Sequence, residues 1–385
     1  MKRLQHLRRD ERGMSFVFVG VGFMAFVAAT TLAIDVGMFM TARSQAQTAA
    51  DAGALAGATA LVFDDFDDRS AGGPAVRSAI STALHNGVMF SSVDVGAADV
   101  LFPIGPGGVS NRVKVNVFRT DARDNPVPTL IGPVFGVPTV DIKATATAEA
   151  SPANAMTCVK PFTIPDRWTE NTNPAWDTGD SFERYDNKMK VIPNADEYHP
   201  PGSAGYNGYH PDRDRGLPLM IRAGTGNNIE PTMYWSWNMA PGNEDIGGDF
   251  YRQNIAHCNT MIVGYGYLMT QEPGNMMGPT LQGVQDLIDQ DPAAYWDDFQ
   301  NKVHTTKSPT PRIFPIPLYD PEYYAWGKAN GRNADLRVAN WLGFFVERID
   351  GNSVFGRITP ILGVIDEGAG PAPAGVFPQA IRLVE

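Results

Sequence analysis

Cys158 and Cys258 are the only two thiols in the chain; His257 precedes Cys258, but neither cysteine belongs to a metal-ligand spacing. A reactive thiolate needs a cationic neighbour, and a structural zinc site needs four nitrogen or sulfur ligands. The pair therefore reads as a disulfide, provided that this part of the chain reaches an oxidising compartment. A bridge closing a loop of roughly 100 residues would stabilise by up to ~4.7 kcal/mol in the chain-entropy model. Asp177, Asp180, Glu183 and Asp186, and separately Asp212 and Asp214, offer oxygen ligands for calcium. Neither set has the Gly-punctuated spacing of an EF-hand, and solvated turns are their plainer use. His199 and His210 make a poor zinc pair for the same kind of reason. Gly-x-Ser-x-Gly, Walker loops and His-Glu-x-x-His do not occur. Tyr206, Tyr209, Tyr234, Trp235 and Trp237 lie in Gly- and Asn-bearing loops, where aromatics stack on sugars or anchor a protein interface. Core packing is their plainer use, and that of Tyr323, Tyr324 and Trp326. The expectation is no catalytic, cofactor or metal site, and no enzyme; an anchored hydrolase would need more than scattered carboxylates.

The elements that position these residues begin with an unbroken apolar run from Met14 to Ile34. At ~1.5 Å per residue it spans ~31 Å, the thickness of a bilayer's hydrocarbon core. Lys2, Arg3, Arg8, Arg9 and Arg12 precede it against only Asp10 and Glu11, and Asp35 follows it. That bias keeps residues 1–13 in the cytoplasm and sends the bulk of the chain outward after a single pass. A secretory signal has the same polarity, but its apolar core is shorter and ends at a small-x-small site, for which Thr31-Leu32-Ala33 is a poor match. Gly20-Val21-Gly22-Phe23-Met24-Ala25 has the GxGxxA spacing of a dinucleotide loop, yet sits inside the apolar run and not at a strand-to-helix turn.

The formal charge is −11, from 31 Lys and Arg against 42 Asp and Glu. Without residues 1–34, which hold five of those cations and two of the anions, the remainder carries 26 against 40, or −14. An acidic exterior without a basic cluster argues against a nucleic-acid partner. With 39 Gly and 30 Pro, mostly after residue 100, the exterior is expected to be loop-rich and β-leaning.

Beyond the apolar run, Phe39, Ala42, Ala46, Ala49, Gly53, Ala56, Ala60 and Phe63 recur in steps of three and four. This heptad-like stripe of small residues suits close backbone approach, either to a sheet of the same chain or to a helix of another subunit. Gln47 and Asp51 form a favourable helical pair, and Asp51 otherwise reads as solvated. Asp64–Asp68 should end the helix in an acidic turn. Pro74 can start a second helix ending near Asn86, with Gly87 as cap. Val93–Phe102, Arg112–Thr120 and Thr139–Ala150 read as strands, with a short helix at Thr129–Phe135. This first exterior unit, residues 35–151, is expected to pack a long helix on a small α+β sheet. Residues 152–385 form a second, β-rich unit. Its apolar segments are Met220–Arg222, Met261–Met269, Arg312–Leu318, Ala339–Arg348 and Ser353–Ile365. Its clearest helix is Thr280–Asp289, with Thr280 as N-cap.

The segment Asp35-Val36-Gly37, then Arg43, then Gln47 to Ala58 with Asp51, Gly53 and Leu55, resembles the TadE/TadG-like family of the Tad (tight adherence, Flp) pilus machinery. Glu11-Arg12-Gly13 and the apolar run fit the same N-terminal domain. Pro128 to Gly132 and Thr145 to Ala150 resemble the strand that closes that family's pilin-like region. The resemblance implies an inner-membrane, exterior-facing, minor-pilin-like component of a pilus or secretion apparatus. Its partners would be the membrane and other pilin-like or pilus-assembly proteins. Processed pilins of this group carry Glu five residues after the cleaved Gly; here Phe18 holds that position, which argues against cleavage after Gly13. The Asp-x-Ser-x-Ser motif of some long adhesive relatives is also missing. The alternative is a surface adhesin whose aromatic loops bind a glycan or protein. The expected fold class is α+β: a transmembrane helix continuing into a long helix on a pilin-like sheet, then a loop-rich β-leaning domain.

Overall fold

The computed structural model describes residues 12–384 apart from 66, 106, 107, 109, 173–175, 225–227, 240–246, 273, 275 and 330–335, so the basic flank at residues 1–11 and Phe66 of the acidic turn lie outside it. The chain forms two units that part between Ala150 and Ser151, and it returns to the first at Ile381.

Helix α1, Arg12–Phe63, runs 52 residues without a break. It holds no proline and no paired turn residues, so nothing in its sequence stops propagation once it is nucleated. Helix α2, Pro74–His85, opens on Pro74, which needs no N–H acceptor at the first helical position. It ends at Asn86 in an ordinary negative-φ conformation, so the expected Gly87 cap is not used. The first unit's sheet has the order β1 (Val100–Leu101), β2 (Arg112–Arg119), β3 (Ile142–Pro152) and the terminal strand Gln379–Leu383. Strand β2 pairs antiparallel with β3 from Arg112↔Glu149 to Arg119↔Ile142. Its alternation buries Val113, Val115 and Val117 on one face.

Three local expectations need correction. The strand at Val93–Phe102 shrinks to β1, because the Asp99 carboxylate accepts from the Gly96 N–H at 2.9 Å and turns Ala97–Asp99 into a 3-10 helix. The helix at Thr129–Phe135 is only a 3-10 turn, Gly132–Phe135. The run Thr139–Ala150 is broken at Asp141. Thr139–Val140 pairs with Val127–Pro128 in a separate ladder, and β3 starts at Ile142.

The second unit contains a closed six-stranded barrel. Its strands are β4 (Phe162–Pro165), β5 (Pro218–Ala223), β6 (Met233–Ser236), β7 (Ile313–Tyr319), β8 (Leu336–Asp350) and β9 (Ser353–Thr359). Around the barrel the order is β8-β7-β4-β6-β5-β9, and β9 closes back on β8. The β7–β4 and β5–β6 pairs are parallel, and the others antiparallel. Closure leaves these strands no open edge. Phe162, Ile164, Leu219, Ile221, Phe314, Ile316, Leu342, Phe344, Val354 and Ile358 make its buried core. Helices α3 (Gly248–Ala256) and α4 (Met277–Gln290) cover it through Tyr251, Ile255, Val284 and Leu287. The N-cap of α4 is Met276, not Thr280. Thr280 is buried within the first turn and donates its hydroxyl to the Met276 carbonyl at 2.8 Å. Met261–Met269 is not one apolar segment: it gives two short strands, Val263–Gly264 and Leu268–Met269, with Ile262 and Leu268 exposed. Of the expected apolar segment Ser353–Ile365, only Ser353–Thr359 forms a strand, which stops before Pro360.

Candidate functional site

Helix α1 presents three surfaces in succession. From Met14 to Ile34 its described side chains are exposed apart from half-buried Ala28, and the helix there is long and apolar enough to cross a membrane. Gly20 and Gly22 lie in this stretch with open space beside them, so the GxGxxA spacing forms no phosphate-binding turn.

Beyond it, one face is buried within the first unit. Ala42, Ala46, Ala49, Ala50, Ala54, Ala58, Ala60 and Leu61 pack with Ala75, Val76, Ala79 and Ala83 of α2 and with Val113, Val115 and Val117 of β2. Gly53 and Gly57 allow the closest approach. A Cβ on Gly53 would lie 3.0 Å from the Ala79 carbonyl oxygen, and one on Gly57 would lie 2.7 Å from Val113 Cγ1. Of the expected stripe, Ala42, Ala46, Ala49, Gly53 and Ala60 are buried on this face, whereas Phe39, Ala56 and Phe63 are half-buried at its margin. The reason is geometric. A stripe in steps of three and four has a period of 3.5, and a straight helix of period 3.6 drifts away from it, so Gly57 and Leu61 replace Ala56 and Phe63 in the contact. The small residues thus serve the chain's own sheet and second helix.

Polar residues of the same helix fasten this packing. Gln47 Nε2 donates to Asp51 Oδ1 at 2.8 Å and to the Thr145 carbonyl of β3 at 3.0 Å. Asp51 is half-buried and pairs with Gln47 as the helical spacing suggests, whereas the bond to Thr145 had no signal in the sequence. Gln45 Oε1 accepts from the Met89 N–H at 2.9 Å. Leu55 packs against the core's edge, and Gly37 faces open space. Asp35, at the end of the apolar run, is buried. Its carboxylate accepts the N–H groups of Leu130 at 3.0 Å, Ile131 at 3.3 Å and Gly132 at 2.9 Å. The outward face of α1 beyond the apolar run, including Val36, Met40, Arg43, Ser44 and Thr48, remains exposed.

In the second unit Cys158 and Cys258 form the disulfide, with Cα atoms 4.5 Å apart. Nearby, Lys160 is buried, and its ammonium donates to the Ile255 carbonyl at 2.6 Å and the His257 carbonyl at 2.9 Å, capping the C-terminus of α3. Burial pushes the Lys160 pKa down to about 7. The aromatic loops do not form a binding face. Tyr209, Tyr234 and Trp237 belong to the core, Trp235 and Tyr206 are half-buried, and Tyr324 is buried. Tyr209 and Tyr206 instead enclose Asp166, which accepts from the Tyr209 N–H at 2.9 Å, the Tyr198 hydroxyl at 3.0 Å and the Tyr206 hydroxyl at 3.4 Å. Burial outweighs these hydrogen bonds and raises Asp166 to about 7. Trp326 is exposed and, with Tyr185, Tyr323 and Arg337, lines an open groove of about 340 Å³.

The acidic sets do not converge. Asp186 Oδ1 accepts from the N–H groups of Lys188 and Lys190, and Asp177 Oδ1 from that of Gly179. Asp214 is buried between Arg167 and Arg213, while Asp212 lies exposed beside His210. His199 faces Glu197 at 3.8 Å. Among the described residues no group of three or more His, Cys, Asp or Glu could hold a metal ion.

No curated protein and no solved structure matches the chain. Residues 13–60 do match a family model, that of the putative Flp pilus-assembly TadE/G-like proteins, and this stretch runs from the foot of the apolar helix to the end of its small-residue face.

Proposed function

We propose that the protein is a membrane-anchored, minor-pilin-like component of a Tad/Flp-type pilus or secretion apparatus, acting by assembly and not by catalysis. The observation that carries this reading is the coincidence of the family match at residues 13–60 with a single uninterrupted helix, Arg12–Phe63. Its first part is apolar and unburied, and its second part is built into a folded unit. In this reading Met14–Ile34 crosses the inner membrane once. The basic flank from Lys2 to Arg12 stays in the cytoplasm, and both units lie in the periplasm or on the cell surface. The disulfide supports an oxidising location. Since the small-residue face is occupied by the protein itself, contacts with pilin-like partners fall to the apolar span and the outward face at Val36, Met40 and Arg43.

The adhesin reading loses most of the side chains it relied on, because Tyr209, Tyr234 and Trp237 are core residues. The test is complementation of a deletion strain. The full chain should restore surface pili, whereas residues 35–385 exported behind a cleavable signal should not. Full piliation by the soluble form would overturn the reading.

A further inference from the structure

We propose that the loop from Thr129 to Pro138 is a second membrane contact, inserting Leu130, Val134, Phe135 and Val137 into the outer leaflet beside the helix. The proposal rests on the reading of Met14–Ile34 as a membrane span. Contacts along α1 show how the loop reaches that level. Gly57 meets Val113 and Gly53 meets Val115, Gln47 bonds Thr145, and Asp35 bonds Leu130 to Gly132. The sheet therefore runs down the helix, and the hairpin built on the Val127–Val140 ladder continues past the sheet's end to Asp35, the residue that follows the span.

The tip of that hairpin is apolar and uncovered. Leu130 is 64% exposed, Val134 79%, Phe135 64% and Val137 49%. The Asp35 bonds hold this tip at the end of the span, so its apolar surface adjoins that of the span. A lipid surface is the occupant that this continuity selects, because the same helix delivers both parts to one depth.

Most backbone N–H groups of the loop are also paired within the protein. Thr129 N–H donates to the Pro138 carbonyl, Val134 to Ile131, Gly136 to Pro133 and Val137 to Gly132. The Asp35 carboxylate takes the three N–H groups between Thr129 and Pro133. Pro133 and Pro138 have no N–H, and the Thr129 hydroxyl donates to the Val137 carbonyl at 2.6 Å. Pairing of these N–H groups lowers the cost of placing non-helical backbone at membrane depth. The same bonds supply the partners that a carboxylate at the membrane boundary requires.

Carbene labelling of the unmodified protein tests this. The full chain is reconstituted in phosphatidylcholine–phosphatidylglycerol vesicles containing a trace of diazirine-acyl phosphatidylcholine, irradiated and digested with trypsin. Cleavage after Arg12, Arg43, Arg123 and Lys143 isolates the span as residues 13–43 and the loop as residues 124–143. Ile104, 68% exposed, is the control within the same unit. It follows β1, which pairs with β2 at the level of Gly53 to Gly57, on the order of 30 Å along the helix from Asp35. Adducts on 13–43 and on 124–143, several-fold above Ile104, are expected. Adducts on 13–43 with none on 124–143 would overturn the loop insertion and leave the span standing. Absence from both would overturn the span itself. Equal labelling of Ile104 would show unselective capture of exposed apolar side chains and also overturn the proposal. Asp35→Ala, which frees the loop from the helix, should lower the 124–143 signal several-fold with the 13–43 signal kept; an unchanged loop signal would remove Asp35 from the device.

Discussion

Gly57→Ala separates two uses of the small-residue face by the sign of a stability change. On an open helix the substitution stabilises by about 1 kcal/mol, because alanine loses less backbone entropy than glycine. Here the new methyl would lie 2.7 Å from Val113 Cγ1, 3.2 Å from Ala79 Cβ and 3.3 Å from the Ala75 carbonyl oxygen. Val113 is fully buried on a strand paired on both sides, so it has nowhere to retreat. Overpacking of this kind costs about 1–3 kcal/mol, which leaves a net loss of roughly 1 kcal/mol after the propensity gain. For a unit of about 150 residues that corresponds to a drop of roughly 3–4 °C in midpoint. Gly57→Leu adds three further carbons and should unfold the unit's helix–sheet contact outright. The assay is thermal or urea unfolding of the full-length protein in detergent, followed by hydrogen exchange in peptides covering α2 and β2. Peptides of the barrel serve as an internal reference. Pairing Gly57→Ala with Val113→Ala should recover part of the loss, a non-additivity expected only of groups in contact. If Gly57→Ala instead raised the midpoint, the face would be open in the isolated chain and its packing would belong to a partner.

Two further outcomes concern the barrel unit. Asp166 has a pKa of about 7 when folded against 3.8 as an ordinary aspartate, so between those values the folded state binds more protons than the unfolded one. The contribution of this group to the unit's stability should therefore be fullest below about pH 4 and be lost as pH rises through 7, with a slope of up to about 1.4 kcal/mol per pH unit. Asp166→Asn should flatten that part of the profile, and urea midpoints at pH 4.5 and 7 measure it; an unchanged slope would refute the assignment. Lys160, depressed to about 7, adds no slope in that window because its own runs upward from 7. Cys158→Ser should lower the unit's unfolding free energy by about 2–4 kcal/mol, the usual range for a disulfide, and leave the first unit's midpoint unchanged. Denaturation with and without reductant reads this directly, and equal midpoints after confirmed reduction would contradict it.

The parts of the molecule readable in advance are those governed by nearest neighbours along the chain. Helix α1 follows from fifty residues without a breaker, and β2 from the strict alternation of Val113, Val115 and Val117. Asp35 was visible as the polar end of an apolar run, but its partners are 95 and more residues away and carry no signal in their own types, being backbone N–H groups. The barrel was invisible for a related reason. Strand β7 contains Pro315 and Pro317, which ordinarily argue against a central strand. They are tolerated because their carbonyls face the β4 side, accepting from the Lys160 N–H at 3.1 Å and the Thr163 hydroxyl at 2.7 Å, so no N–H is missing from the ladder with β8. Closure depends on β8 being 15 residues long, enough for one half to pair with β7 and the other to extend along β9. Loop aromatics such as Tyr209 and Trp237 looked like candidates for recognition because composition reports that a residue is aromatic, not which way it points.

In the proposed reading, a single helix that serves both lipid and a folded unit faces two incompatible solvents along its length. The composition of α1 changes accordingly. Phe, Val and Met make up 10 of the first 21 residues after Gly13, where apolar area is the asset, and Ala and Gly dominate the buried face beyond Thr41, where closeness is. The boundary is the residue at which neither rule applies, and there the chain places an ionisable group whose acceptor atoms are claimed by three backbone donors. A carboxylate so held costs less at a low-dielectric boundary than a free one, and it fixes where the folded unit begins relative to the apolar run. Register between helix and sheet is thus set twice, by the glycines at the far end and by Asp35 at the near end. A shift of the sheet by one helical residue would break both contacts at once.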